Sequence, residues 1–239
     1  MPKNGSHEHF LGAASVAPAV FGLRPDYRAL LLAIDGLEAA PSNPASNELV
    51  DAAESHARKL LRDHAVEDLP HIAAWRAAYR AFGAKPQRTR NSLEALTRRA
   101  ADRLPRVNAL TDIYNAVSVL HQVPIGGEDL AQYQGPARLV RATGEEEFEA
   151  FANHAPIVEH PNAGEVIWRD DRGVTCRRWN WRQGPRTGLT DQTKTAFFIL
   201  DALDPMTNEA LHAAVEELTT ALTRASPGIA VSQRLVAAP

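Results

Sequence analysis

The stretch Ala109-Leu110-Thr111-Asp112-Ile113-Tyr114-Asn115-Ala116-Val117-Ser118-Val119-Leu120-His121, with Val123-Pro124-Ile125-Gly126-Gly127-Glu128-Asp129 close behind it, governs how the rest of the chain reads. Leu110, Ile113, Val117 and Leu120 recur at helical spacing and form one apolar stripe, which predicts a helix over 109–121. Asp112 and Asn115 sit together across the axis beside apolar Val119, so the helix is expected to be covered on both sides. Buried polar groups need partners. Either the pair faces a ligand pocket, or it ties the helix to neighbouring backbone.

Working toward the N-terminus, Asn91 followed three residues later by Glu94 resembles a capping box. It opens a helix with Leu93, Leu96 and Ala100 inward and Arg98, Arg99 and Arg103 outward, ended by Pro105. Asp68 is expected to cap the preceding helix, in which Ile72, Trp75, Tyr79 and Phe82 share a side and Gly83 supplies the stop. Asn47 is expected to cap another, with Leu49, Ala53, Ala57, Leu60 and Leu61 repeating at helical spacing. The short apolar run Ala29–Ile34 suits a buried strand. The run from Phe10 to Leu23 has no basic cluster before it and is broken by Pro18 and Gly22, so it reads as an early strand with a loop and not as a signal peptide. The first ten residues and the tail after Gly228 are expected to be loose.

Toward the C-terminus the pattern becomes strand-like. Arg138–Ala142 is β-compatible, and Gly164–Arg169 and Val174–Trp181 flank the turn Asp170-Asp171-Arg172-Gly173. Thr195–Leu203 reads as a further strand. Asp204-Pro205 is expected to open a last helix striped by Leu211, Val215, Leu218 and Leu222, closed by Pro227-Gly228. Helices come first and strands cluster later, which points to an α/β or α+β domain with helices flanking a mixed sheet.

Composition narrows the function classes. The 239 residues are 44% hydrophobic and 23% charged, as expected of one globular domain. No stretch approaches the roughly 20 apolar residues of a membrane-spanning helix, so no membrane partner is expected. Cys176 is the only cysteine, which rules out an intramolecular disulfide and points to a reducing, cytoplasmic location. A formal charge of -3 lacks the basic excess of a tight nucleic-acid binder, and DNA is not expected as a partner. Two local basic groups, Lys85 to Arg106 and Arg177 to Arg186, are either solvated faces or phosphate contacts. Hydrolase elbows, phosphate-binding loops and zinc-protease helices are absent. His7 and His9 fall short of the three or four pinned ligands of a structural metal site, so no metal and no cofactor is expected.

Three stretches in order carry a resemblance: Asn91–Arg99 with Leu104–Asn115; Val123–Leu130 leading to Arg141-Ala142-Thr143-Gly144-Glu145; and Gly164–Asp170 with Gly173 and Cys176–Gln183. Together the chain resembles the stand-alone B3/B4 proteins, related to the editing module of the phenylalanyl-tRNA synthetase β subunit. The resemblance covers about Asn91 to Leu203. It implies a B3/B4-like fold, with residues 1–84 as leader strands and helices packed on a core of 85–225. In the synthetase this module hydrolyses tyrosine wrongly attached to tRNA specific for phenylalanine, so the resemblance implies an aminoacyl-ester pocket, with a tRNA acceptor end, an aminoacyl-tRNA or a free amino acid as partner. The Asp112-x-x-Asn115 pair matches the synthetase helix motif, and Asn115 falls where that family places a polar residue facing the pocket. Two departures stand out. Gly126 takes the place of a histidine bordering the editing site, and the run Arg177–Arg182 replaces the Gly-rich strand that selects the tyrosyl group.

Hydrolysis of an aminoacyl ester needs a positioned water, donors for the developing oxyanion and a proton route, and the vicinal ribose hydroxyl can take part. On this reading Asn115, Asp112 and Glu145 orient water and ligand, with Gly126 and Gly127 beside them. Arg98, Arg178, Asn180 and Arg182 are expected at the acceptor end. Strand alternation would put Trp179 and Trp181 on one face, packing in the core or stacking on the terminal adenine or the amino acid, with Arg178, Asn180 and Arg182 opposite. Glu145 could equally open a helix beside Glu146 and Glu147. The competing reading is a binding module that keeps the fold without catalysis.

Overall fold

The structure, a computed structural model, describes residues 4–152 and 155–239. In chain order its elements are α1 (Asn4–Ala13), β1 (Ser15–Val16), α2 (Pro18–Phe21), β2 (Arg28–Asp35), α3 (Pro44–Asp63), α4 (Pro70–Ala81), α5 (Ser92–Ala100), α6 (Ala109–His121), β3 (Ile125–Asp129), β4 (Arg138–Arg141), β5 (Phe148–Ala152), β6 (Ala155–Glu159), β7 (Val166–Arg169), β8 (Val174–Arg177), β9 (Arg182–Gln183), β10 (Thr195–Ala202), α7 (Asn208–Ala225) and β11 (Ala230–Ala237). The class is α+β. An antiparallel sheet runs β11-β2-β10-β3, and a mixed sheet runs β1-β4-β7-β8-β9 with β1 parallel to β4. A hairpin of β5 and β6 stands beside them.

Strand periodicity explains the layering. Along β2, Ala29, Leu31 and Ala33 join Phe197 and Ile199 of β10 in a core shared with Leu139, Trp168 and Trp179 from the mixed sheet. The alternate residues Leu30, Leu32 and Ile34, with Phe198 and Leu200, pack on Ile113 and Val117 of α6 and Leu211, Val215 and Leu218 of α7. Both faces of the antiparallel sheet are therefore covered, one by helices and one by a second sheet. The far side of α6 buries Ala116 and Val119 against Val50, Ala53 and Ala57 of α3, so α6 is covered on both sides, as its pattern predicted.

Several sequence expectations give way. Residues 4–13 form a helix and the run to Leu23 holds only a two-residue strand before α2, because Phe10, Leu11 and Val20 have the core to pack into. The tail is β11, an edge strand paired along all of β2, which it shields on one side. Residues 1–84 do not merely lie on a later core: β2, apolar on both faces, is an inner strand between β10 and β11. Helix starts shift as well. Asn43, not Asn47, caps α3 through a reciprocal pair with Ser46, and Leu69, not Asp68, precedes α4. Thr207 caps α7, while Asp204-Pro205 is a cis peptide ahead of it.

Candidate functional site

A cavity of about 260 Å³ opens between the two sheets at the β3 edge, just under the ~300–1,000 Å³ usual for small-molecule sites and of a size for an amino acid rather than a dinucleotide. Six pieces of chain build it. The start of α5 brings Ser92, Ala95 and Leu96; α6 brings Tyr114 and Asn115; β3 brings Ile125, Gly126, Gly127 and Glu128. Trp168 and Cys176 come from the mixed sheet with Trp179, Asn180, Trp181 and Gln183, and Ile199 and Asp201 come from β10. Of the residues named from sequence, Asn115, Gly126, Gly127, Trp179, Asn180 and Trp181 meet here. Glu128, Asp201, Trp168 and Ser92 were missed.

Each wall has a local cause. Asn91 caps α5 by accepting from Glu94 N at 2.8 Å, and Ser92 N donates to Asn180 O at 2.9 Å, which fastens the helix start to the turn carrying the tryptophans. On β3 the two glycines differ. A side chain at Gly126 would enter open space, whereas a Cβ at Gly127 would lie 2.8 Å from Leu189 and from Phe198. Gly127 O also accepts from Gln183 Nε2 at 2.7 Å, closing the cavity floor.

Strand alternation fails where it was applied to Arg178–Arg182. β8 stops at Arg177, and Arg178 and Trp179 take left-handed φ values of 49° and 69°, a region that non-glycine residues occupy at a cost. The turn sends the two tryptophans apart. Trp179 is fully buried against Tyr27 and Trp75, with ring centroids 4.9 and 5.3 Å away. Trp181 stays half-buried at the cavity rim under the Arg178 guanidinium, 4.3 Å above its ring. Asn180 points inward instead of sharing a face with Arg178 and Arg182; it accepts from Tyr79 Oη at 2.9 Å and donates to Asp201 at 3.2 Å.

Asp112 and Glu145 do not reach the cavity. Asp112 is buried and accepts from Val107 N at 2.8 Å and Ser42 Oγ at 2.5 Å, so its carboxylate ties the loops before α3 and α6 to the helix. Glu145 is exposed in the loop after β4, where Glu146 makes the cap-like bonds to Thr143 N and Gly144 N. Asn115, three residues from Asp112 on the same helix, lines the cavity and makes no side-chain hydrogen bond among the described residues.

The basic residues are mostly neutralised. Arg98 pairs with Glu67 at 2.6 Å and Glu94 at 3.1 Å, and Arg182 with Glu159 at 2.6 Å. Arg178 donates to Thr89 at 2.6 Å and lies 3.5 Å from Glu165. It also lines a neighbouring hollow of about 450 Å³ with Lys85 and Arg88, which have no ion pair among the described residues.

Two cavity-wall carboxyls are perturbed by their surroundings. Burial pushes Glu128 up to about 7, although Tyr133 Oη donates to it. Burial likewise pushes Asp201 up to about 7 against the hydrogen bonds from Tyr27 Oη, at 2.6 Å, and Asn180. Burial raises the Cys176 thiol well above its usual value, so at neutral pH it is not a thiolate nucleophile. The Trp168 indole N–H and the Ser92 hydroxyl, both at the cavity, have no hydrogen-bond partner among the described residues. The arrangement is an apolar slot with a few unspent polar groups.

The B3/4 domain family matches residues 74–236 of the chain. Among solved structures, an N-terminal fragment of the phenylalanyl-tRNA synthetase beta-subunit from Pyrococcus horikoshii aligns over 94% of this chain and 54% of its own, at 13% identity and a TM-score of 0.46. The chain therefore spans about half the length of that fragment. No curated protein matches the chain.

Proposed function

Since this chain belongs to the B3/4 domain family, we propose that it is an aminoacyl-tRNA deacylase acting in trans, which seats a mischarged aminoacyl group in the cavity between its two sheets and hydrolyses the ester. The observation that carries the reading is Asn115: an amide on the cavity wall, positioned by a helix covered on both sides, with no side-chain hydrogen bond among the described residues. Its Nδ2–H donates to the ester carbonyl, or to the water that attacks it, and stabilises the oxyanion as charge develops. Trp168, Leu96 and Trp181 hold the aminoacyl side chain, and the vicinal ribose hydroxyl of the substrate supplies the proton route. Trp181, with Arg178 stacked on it, forms the rim, and the hollow lined by Lys85 and Arg88 receives the acceptor-end phosphates.

A panel of mischarged tRNAs under single-turnover conditions tests this. Release of amino acid from at least one tRNA, lost in Asn115→Ala, is the expected result. Slow release at the uncatalysed rate from every tRNA would leave the second reading, a non-catalytic module that binds tRNA or an amino acid. Gly126 favours that alternative, because the position where the synthetase has a histidine here offers only space.

A further inference from the structure

Glu128 stands on the cavity wall with no part in the ester chemistry. Its main chain is fixed on both sides, paired with Phe197 of β10 and with Gly188, and its side chain lies on the same face of β3 as Gly126, turned toward the mixed sheet. The residue is 2% exposed, and around it the cavity is walled by Leu96, Tyr114, Trp168, Trp179 and Ile199. An acid in such surroundings is unfavourable unless donors meet it. Tyr133 Oη supplies one, and the Thr175 and Thr187 hydroxyls lie close enough to act on it as well. The second acid of the wall, Asp201, is already held at both oxygens by Tyr27 and Asn180. Among the described residues no lysine or arginine lines the cavity itself, and the Arg186 guanidinium, whose charge acts on Glu128, is paired with Asp170. Independently, the Trp168 indole N–H, in a cavity-lining residue 1% exposed, has no acceptor among the described residues.

We infer that Glu128 selects the aminoacyl side chain, favouring one that ends in a protonated amine over an apolar side chain of the same length. The inference rests on the proposed seating of an aminoacyl group in this cavity. A carboxylate desolvated without a cation in the cavity penalises the apolar analogue, while the ammonium supplies both a further donor and a countercharge inside it.

Isothermal titration calorimetry of the full chain with free amino acids in pairs of equal side-chain length, norleucine against ornithine and 2-aminoheptanoic acid against lysine, tests it. Binding of the amine-bearing member should be tighter by roughly 10- to 100-fold. Glu128→Leu should erase that preference and Glu128→Gln should weaken it. The wild-type preference alone decides the matter if Glu128→Leu does not fold. Equal or tighter binding of the apolar member would overturn the inference and leave the aminoacyl reading standing, as would a preference that survives Glu128→Leu. Loss of norleucine and ornithine binding alike in Glu128→Leu would assign Glu128 to the α-ammonium and also overturn it. Binding of no amino acid of either kind would remove the aminoacyl reading and this inference together.

Discussion

Asn115 and Asp112 lie three residues apart on α6 and do different work. Asp112 holds Val107 N and Ser42, so Asp112→Ala leaves a buried amide unpaired and should cost about 1–3 kcal/mol in denaturant unfolding. Asn115→Ala should leave stability within ~0.5 kcal/mol of wild type and abolish amino-acid release; a large loss of stability would mean the amide is structural. The glycines of β3 make a second contrast. Gly127→Ala forces a methyl to 2.8 Å from Leu189 and Phe198, an overpacking of about 1–3 kcal/mol, whereas Gly126→Leu should fold normally and fill the cavity, blocking ligand binding. Wild-type binding in Gly126→Leu would place the ligand elsewhere. That Asn115 lies on a covered face of α6 was legible because a helix apolar on one side and bearing an amide beside a valine on the other has to be covered twice; its place at a pocket was an expectation from the family resemblance. Glu128 and Asp201 were not singled out, although Asp201 sits inside the apolar run Phe197–Leu203, where a carboxyl has no water to face.

At the scale of elements, α6 was readable because its apolar stripe repeats at helical spacing, and in the structure Asn108 caps it by accepting from Thr111 N. The turn at Arg178–Trp181 was not. Strand propensity and alternation describe that stretch well locally, and only the burial of Trp179 among Tyr27, Trp75 and Phe82 overrides them. The β5–β6 hairpin depends on a few contacts of the same turn. Glu159 bridges Arg177 and Arg182, both at 2.6 Å, and Phe148 packs beneath the two guanidiniums. Glu159→Ala should free the hairpin by about 1–2 kcal/mol, read as faster amide exchange across 148–152 and 155–159 with β10 unchanged. Unchanged exchange there would mean that the ion pairs add nothing to the packing of Phe148.

The whole molecule carries a pH signature of its buried acids. Glu128 and Asp201 titrate near 7 when folded and within the ordinary carboxylate range when unfolded, so between about pH 4.5 and 7 the native state binds more protons than the unfolded one. Stability from these groups is fully present below the unfolded value and falls as pH rises to about 7. His71, lowered to about 4 by burial, acts in the opposite sense, losing stability as pH falls from 6.5 toward 4. Glu128→Gln should therefore make stability rise more with pH across this window than in wild type; an unchanged profile would show that Glu128 is ionised and solvated when folded. The layered architecture was legible in the apolar faces of β2 and α6, while the stacking of two separate sheets, and hence the cavity between them, depends on long-range pairing of β2 with β10 and β11 that no local pattern encodes. That cavity is the centre of the account, and the most direct test is a crystal structure of the chain with a non-hydrolysable aminoacyl-adenosine amide. The aminoacyl group is expected between the sheets, within hydrogen-bond distance of Asn115 Nδ2; an aminoacyl group bound outside the cavity, with Asn115 untouched, would contradict the proposed function.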